Sequence, residues 1–160
     1  MNHRSTPSRR VVLAAAAIAA VALSACSMMP GMSTMVPMKA SLSGAQEVPP
    51  VTSPGTGTLE ANLNKDTNVL TWRLPYSGLS GPATAAHFHG PASMGQNAGV
   101  VVPLASAASP SAGQATLTAA QAADLSAGKW YVNVHTAANP GGEIRGQSPP
   151  PQRPRCRLHL

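Results

Sequence analysis

The stretch KWYVNVHT, Lys129 to Thr136, alternates strictly. Trp130, Val132 and Val134 fall on one side of an extended chain, and Tyr131, Asn133 and His135 fall on the other. That is the period of a β-strand, and its aromatic and β-branched residues are those that strands favour. Seven further stretches read the same way: KASLSG (39–44), GTGTLEANLN (55–64), VLTWRLPY (69–76), TAAHFHG (84–90), GVVVPLA (99–105), GQATLT (113–118) and GEIRGQ (142–147). Gly, Pro, Ser and Asn cluster between them. About eight short strands at this spacing predict an all-β fold, a Greek-key-like antiparallel sandwich or barrel. One short helix is expected over 118–127, with Thr118 as N-cap and Gly128 as stop.

Strand parity also orients the histidines. In AHFHG, Phe88 points opposite to His87 and His89. Burying that phenylalanine, the only one in the chain, is worth roughly 2–3 kcal/mol, so it takes the core side and both imidazoles take the other. In KWYVNVHT the same argument sends Trp130, Val132 and Val134 inward and His135 outward. TAANPGGE then reads as a hairpin connection. A register with Val134 opposite Ile144 and Asn133 opposite Arg145 keeps Ile144 in the core and sets Glu143 and Arg145 beside His135, where they are expected to pair. If the 84–90 and 130–136 strands are neighbours, His87, His89 and His135 offer three nitrogens suited to copper or zinc. Glu143 or Glu47 then stands as a fourth ligand or as a support behind an imidazole. Otherwise the same residues form a hydrogen-bonded polar cluster.

The formal charge of +6 suggests a nucleic-acid partner until the charges are mapped. Arg4, Arg9 and Arg10 precede an apolar run, and Arg153, Arg155 and Arg157 lie at the C-terminus. Between them Lys39, Lys65, Arg73, Lys129 and Arg145 are balanced by Glu47, Glu60, Asp66, Asp124 and Glu143. A neutral body has no patch to displace DNA counterions, so no nucleic-acid partner is expected.

The N-terminus reads as an export signal over 1–25. A basic segment, MNHRSTPSRR, leads into VVLAAAAIAAVAL, a run too short to span a bilayer. LSAC, Leu23 to Cys26, resembles the lipobox of bacterial lipoproteins, which implies cleavage before Cys26 and lipid attached to it. The expected location is the cell envelope, periplasmic or outer surface, with the membrane as partner through that anchor. Ser8-Arg9-Arg10 resembles a twin-arginine motif with Val12 in place of the usual aromatic residue, and Sec export is the alternative. Residues 26–37 read as a lipidated start and a flexible linker. Its methionines (Met28, Met29, Met32 and Met35, with Met38 beyond) also admit a copper reading. After Gln147 the alternation stops, and 148–160 reads as a disordered or aberrant Pro/Arg-rich tail. With Cys26 lipidated and Cys156 in that tail, the body has no cysteine to form disulfides.

Four motifs in order, GAQEVPP (44–50), TAAHFHGPA (84–92), YVNVHT (131–136) and NPGGEIRGQ (139–147), resemble the CHRD domain, a module named for chordin and common in secreted bacterial proteins. The resemblance spans about 38–147 and implies a secreted β-sandwich. A second similarity is to Cu/Zn superoxide dismutase, whose metal sits on an H-x-H strand outside a Greek-key barrel. It implies His87 and His89 on that strand and His135 on a later one. Three body histidines are too few for a dinuclear site, and the structural cysteines are missing, so dismutation is not implied.

Three functions compete: a tethered module holding one copper or zinc ion, a structural or adhesive envelope module with a protein or glycan partner, and a metal-dependent redox enzyme. For hydrolysis there is no G-x-S-x-G and no useful carboxylate pair. The metal reading requires the histidine nitrogens to converge within about 4–5 Å.

Overall fold

The computed structural model describes Met1 and residues 34–150. The expected signal peptide, Cys26, the linker as far as residue 33, and Arg153, Arg155, Cys156, Arg157 and His159 lie outside the described residues.

Nine strands and one helix make up the body: β1 (Met35–Ser43), β2 (Thr56–Asn64), β3 (Val69–Leu74), β4 (Tyr76–Ser77), β5 (Ala83–His89), β6 (Val100–Pro103), β7 (Ser111–Thr116), α1 (Ala119–Ser126), β8 (Tyr131–Thr136) and β9 (Ile144–Gln147). The eight expected strands are all present, and the ninth is the two-residue β4. A single antiparallel sheet runs β6-β5-β8-β9-β1-β2-β3-β7, with β4 beside β2. Neighbours distant in sequence, such as β5 with β8 and β9 with β1, are long returns of the Greek-key kind.

Period-two alternation builds each layer. β1 buries Val36, Met38, Ala40 and Leu42, β2 buries Leu59, Ala61 and Leu63, and β3 buries Leu70, Trp72 and Leu74. β1 and β2 pair along their whole length, from Met35 opposite Asn64 to Ser43 opposite Thr56. β1 meets β9 at one register pair only, Ser43 with Arg145, and there the sheet turns its corner. The sheet curls into a nearly closed barrel, and across its interior Trp72 of β3 meets Phe88 of β5 edge-on, with ring centroids 5.3 Å apart. Those two strands lie five places apart in the sheet order.

Local signals hold as expected at the helix. Thr118 Oγ1 accepts from the Gln121 N–H at 3.2 Å, and the Thr118 N–H donates to Gln121 Oε1 at 2.9 Å, a capping box. Gly128 follows at a φ of +76°, where a side chain would be strained. In the 64–68 turn, Asn64 Oδ1 accepts from the Asp66 and Thr67 N–H groups.

Three expectations need correction. β1 begins at Met35, inside the segment read as linker, because Val36 is apolar and its side chain enters the core. Met38 is likewise buried among apolar residues and is no copper ligand. At the other end Ser148 is buried, and its N–H donates to the Trp130 carbonyl at 2.8 Å, so packing continues one residue into the segment read as tail. Among the described residues no helix is long and apolar enough to cross a membrane.

Candidate metal centre

β5 and β8 are neighbours, which was the open condition. Phe88 lies opposite Val132, His87 opposite Asn133, His89 opposite Tyr131 and Ala85 opposite His135. Phe88, Val132 and Val134 are fully buried in the core, as parity requires. The other face therefore carries His87, His89, Tyr131, Asn133 and His135. One ligand atom from each of His87, His89 and His135 lies within 4.8 Å of the other two.

That face is not open to solvent. Every residue of β8 is buried, and His89 and His135 are each 8 % exposed, with His87 half-buried. Loop 90–99, the 137–143 turn and the 44–51 segment cover the strand from outside. The Tyr131 hydroxyl donates to the Ala98 carbonyl and accepts from the Ala98 N–H. Asn97 Nδ2 donates to the Val48 carbonyl at 2.9 Å, joining two of the covering segments. The alternation of β8 thus separates an apolar core from a second, polar interior.

Each imidazole is held. The Nδ1–H of His135 donates to the Pro140 carbonyl at 2.9 Å, and the Nδ1–H of His89 donates to the Ala98 carbonyl at 2.9 Å. A carbonyl can only accept, so both rings direct Nε2 toward the interior of the cluster. His135 Nε2 lies 3.0 Å from His87 Nδ1, and His89 Nε2 lies 3.0 Å from Asn133 Oδ1. Two nitrogens bound to one ion at about 2.0–2.1 Å stand about 2.9–3.4 Å apart, so the His87–His135 pair already has ligand spacing. The backbone carbonyl behind each of His89 and His135 is the usual outer support of a metal-bound histidine. Burial holds the pKa of His87 below the usual imidazole value, with the charges of His135 and His89 adding to it. Burial also lowers that of His135, against the opposing hydrogen bond to Pro140. Neutral rings are the forms that bind metal.

The carboxylates behave differently from expectation. The register is the expected one, Val134 with Ile144 and Asn133 with Arg145. Glu143, however, lies at a bend just before β9, after Gly142 at a φ of +130°, so the alternation of β9 does not extend to it. Its side chain turns from the histidine face and accepts from Ser53 Oγ, the Ser80 N–H, Ser80 Oγ and Thr136 Oγ1 at 2.6–2.7 Å. Burial alone would raise its pKa, but these donors bring it down to about 2. No Glu143–Arg145 pair forms. Arg145, 1 % exposed, donates to Asn97 Oδ1 and to the Gln96 carbonyl, and its Cζ lies 3.4 Å from the Tyr131 ring centroid. Tyr131 in turn stacks on His89, with centroids 4.7 Å apart and planes 3° apart. Glu47 is buried beside Asn133 and Arg145, and burial raises its pKa above the usual carboxylate range. Its Oε1 has no hydrogen-bond partner. Neither glutamate belongs to the group of ligand atoms that converges at His87, His89 and His135, and Glu47 stands beside Asn133, whose Oδ1 faces His89.

Asn133, Tyr131 and the covering loop were not foreseen as parts of the site. Parity placed Asn133 and Tyr131 on the histidine face, and that was the available signal. The loop carries no comparable pattern.

The motifs and the fold converge on one assignment. The family model of the CHRD domain matches residues 38–148, the whole of the sheet from Met38 onward together with the histidine face. The chain belongs to the CHRD domain family. No curated protein matches the chain. No solved structure matches it either. The three clustered histidines of this CHRD domain are the feature on which a more specific reading rests.

Proposed function

We propose that this CHRD protein is a cell-envelope module, held to the membrane by lipid on Cys26, that binds a single copper or zinc ion through His87, His89 and His135. The observation that carries the reading is the convergence of three imidazole nitrogens within 4.8 Å, with the far nitrogens of His89 and His135 fixed by backbone carbonyls. Ring orientation is thus set before an ion arrives, which lowers the ordering cost of binding. His87 is the least buried of the three.

A structural or adhesive module is the second reading. It is favoured by one fact: each histidine already has a hydrogen-bond partner within the protein. Metal analysis of the mature chain, purified without a His-tag, separates the two. One equivalent of copper or zinc that disappears in a His87→Ala/His89→Ala/His135→Ala variant supports the metal centre. Equal and negligible metal in both leaves the structural module. For the anchor, Cys26→Ser is expected to release the protein from the membrane fraction, and an unchanged distribution would remove the lipid proposal.

A further inference from the structure

We infer that the cluster holds copper as the monovalent ion in preference to any divalent ion; this rests on the metal-binding reading above. The argument is one of charge. All three ligand groups are imidazoles, which carry no charge when they bind a metal, and among the described residues no Asp, Glu or Cys belongs to the cluster. Glu143 is turned away and occupied by hydroxyl and amide donors. Glu47 stands behind Asn133. The ion therefore keeps its full charge within the ligand shell.

The surroundings are hostile to that charge. His89 and His135 are nearly excluded from solvent. The cost of moving an ion out of water grows with the square of its charge, so a dication is penalised about four times as heavily as a monocation. The next layer adds a buried cation: the Arg145 guanidinium lies on the Tyr131 ring, and that ring stacks on His89. Glu47 on the other side of Asn133 offsets Arg145 at most once, and it contributes no charge when protonated.

Coordination number points the same way. A structural zinc site asks for four ligands in a tetrahedron. Here the fourth polar atom at hand is the amide oxygen of Asn133, a hard and neutral donor. Monovalent copper is content with two or three ligands, and the three imidazoles, whose ligand atoms lie within 4.8 Å of one another, supply that number.

The full chain is titrated with Cu(I) under anaerobic conditions against a chromophoric Cu(I) chelator, and separately with Cu(II) and Zn(II). The expected result is one Cu(I) per chain, bound about a hundredfold more tightly than either dication. His87→Ala and His135→Ala are each expected to weaken Cu(I) by about tenfold or more, with the circular-dichroism spectrum unchanged. His87 is half-buried, so its variant is the one expected to keep the fold most fully. Divalent ions binding as tightly as Cu(I), with dependence on the histidines retained, would overturn the monovalent preference and leave the metal centre standing. An absence of binding in every oxidation state would overturn both.

Discussion

At the level of single residues, Glu143 links the β8–β9 connection to two distant segments. Its carboxylate gathers Ser53, Ser80 and Thr136 in a site with no solvent exposure. Glu143→Gln keeps the shape but replaces an acceptor oxygen with an NH2 group that faces donors. It is expected to cost about 1–3 kcal/mol, read as a lowered urea midpoint with an unchanged m-value. The same carboxylate predicts acid sensitivity. Its folded pKa of about 2 lies below the ordinary 4.5, so its stabilisation is present above pH 4.5 and is lost as the pH falls from there through 2. His87 and His135 also have lowered folded values, against an ordinary 6.5. Their neutral forms fit the fold, so their contribution is present above pH 6.5 and declines as the pH falls below it. Imidazole titration by NMR on the metal-free protein is expected to give midpoints below 6.5 for both; a midpoint at or above that value would contradict the burial described.

At the level of elements, β8 is the organising strand. Its inner face completes the core through Val132 and Val134, and its outer face forms the polar interior through Tyr131, Asn133 and His135. The turn after it depends on Gly142. A Cβ there would overlap Glu47 Oε1 and crowd Asn133 Nδ2, and the φ of +130° strains any other residue. Gly142→Ala is therefore expected to lower stability and to loosen the histidine face together, seen as a fall in melting temperature and in metal affinity. Thr118→Ala provides the contrast. It removes the cap of α1, an element that contributes no residue to the histidine cluster, and should cost about 1 kcal/mol while leaving metal stoichiometry unchanged.

At the level of the whole molecule, the core depends on the contact of Trp72, Phe88 and Trp130 across the curled sheet. Phe88→Ala leaves a cavity between the two layers and is expected to cost about 3–5 kcal/mol in equilibrium unfolding. Such a loss removes a large part of the stability of an ordinary domain, so the histidine face should fail with it. Binding works in the opposite direction. An ion that binds only the folded state stabilises by about 2.7 kcal/mol at a concentration a hundred times its Kd. The melting temperature of the wild-type chain is thus expected to rise with added metal, and that of the triple-alanine variant to stay fixed.

The strands, the capped helix, the inward placement of Phe88 and Val134, and the β8–β9 register were legible without coordinates. Each follows from side-chain alternation or from a capping residue next in sequence to the structure it governs. The gathering of His87, His89 and His135 was legible only as a condition, since alternation says which way a side chain points and not which strand lies beside it. The fate of Glu143 and Arg145 was not legible. Parity ended at Gly142, and the partners of the two side chains, Ser53 and Ser80 for one and Gln96, Asn97 and Tyr131 for the other, come from segments far along the chain. The cover over β8 was hidden for the same reason: loops without periodicity lie where long-range packing and hydrogen bonding place them, and they turned an expected outer surface into a second buried layer.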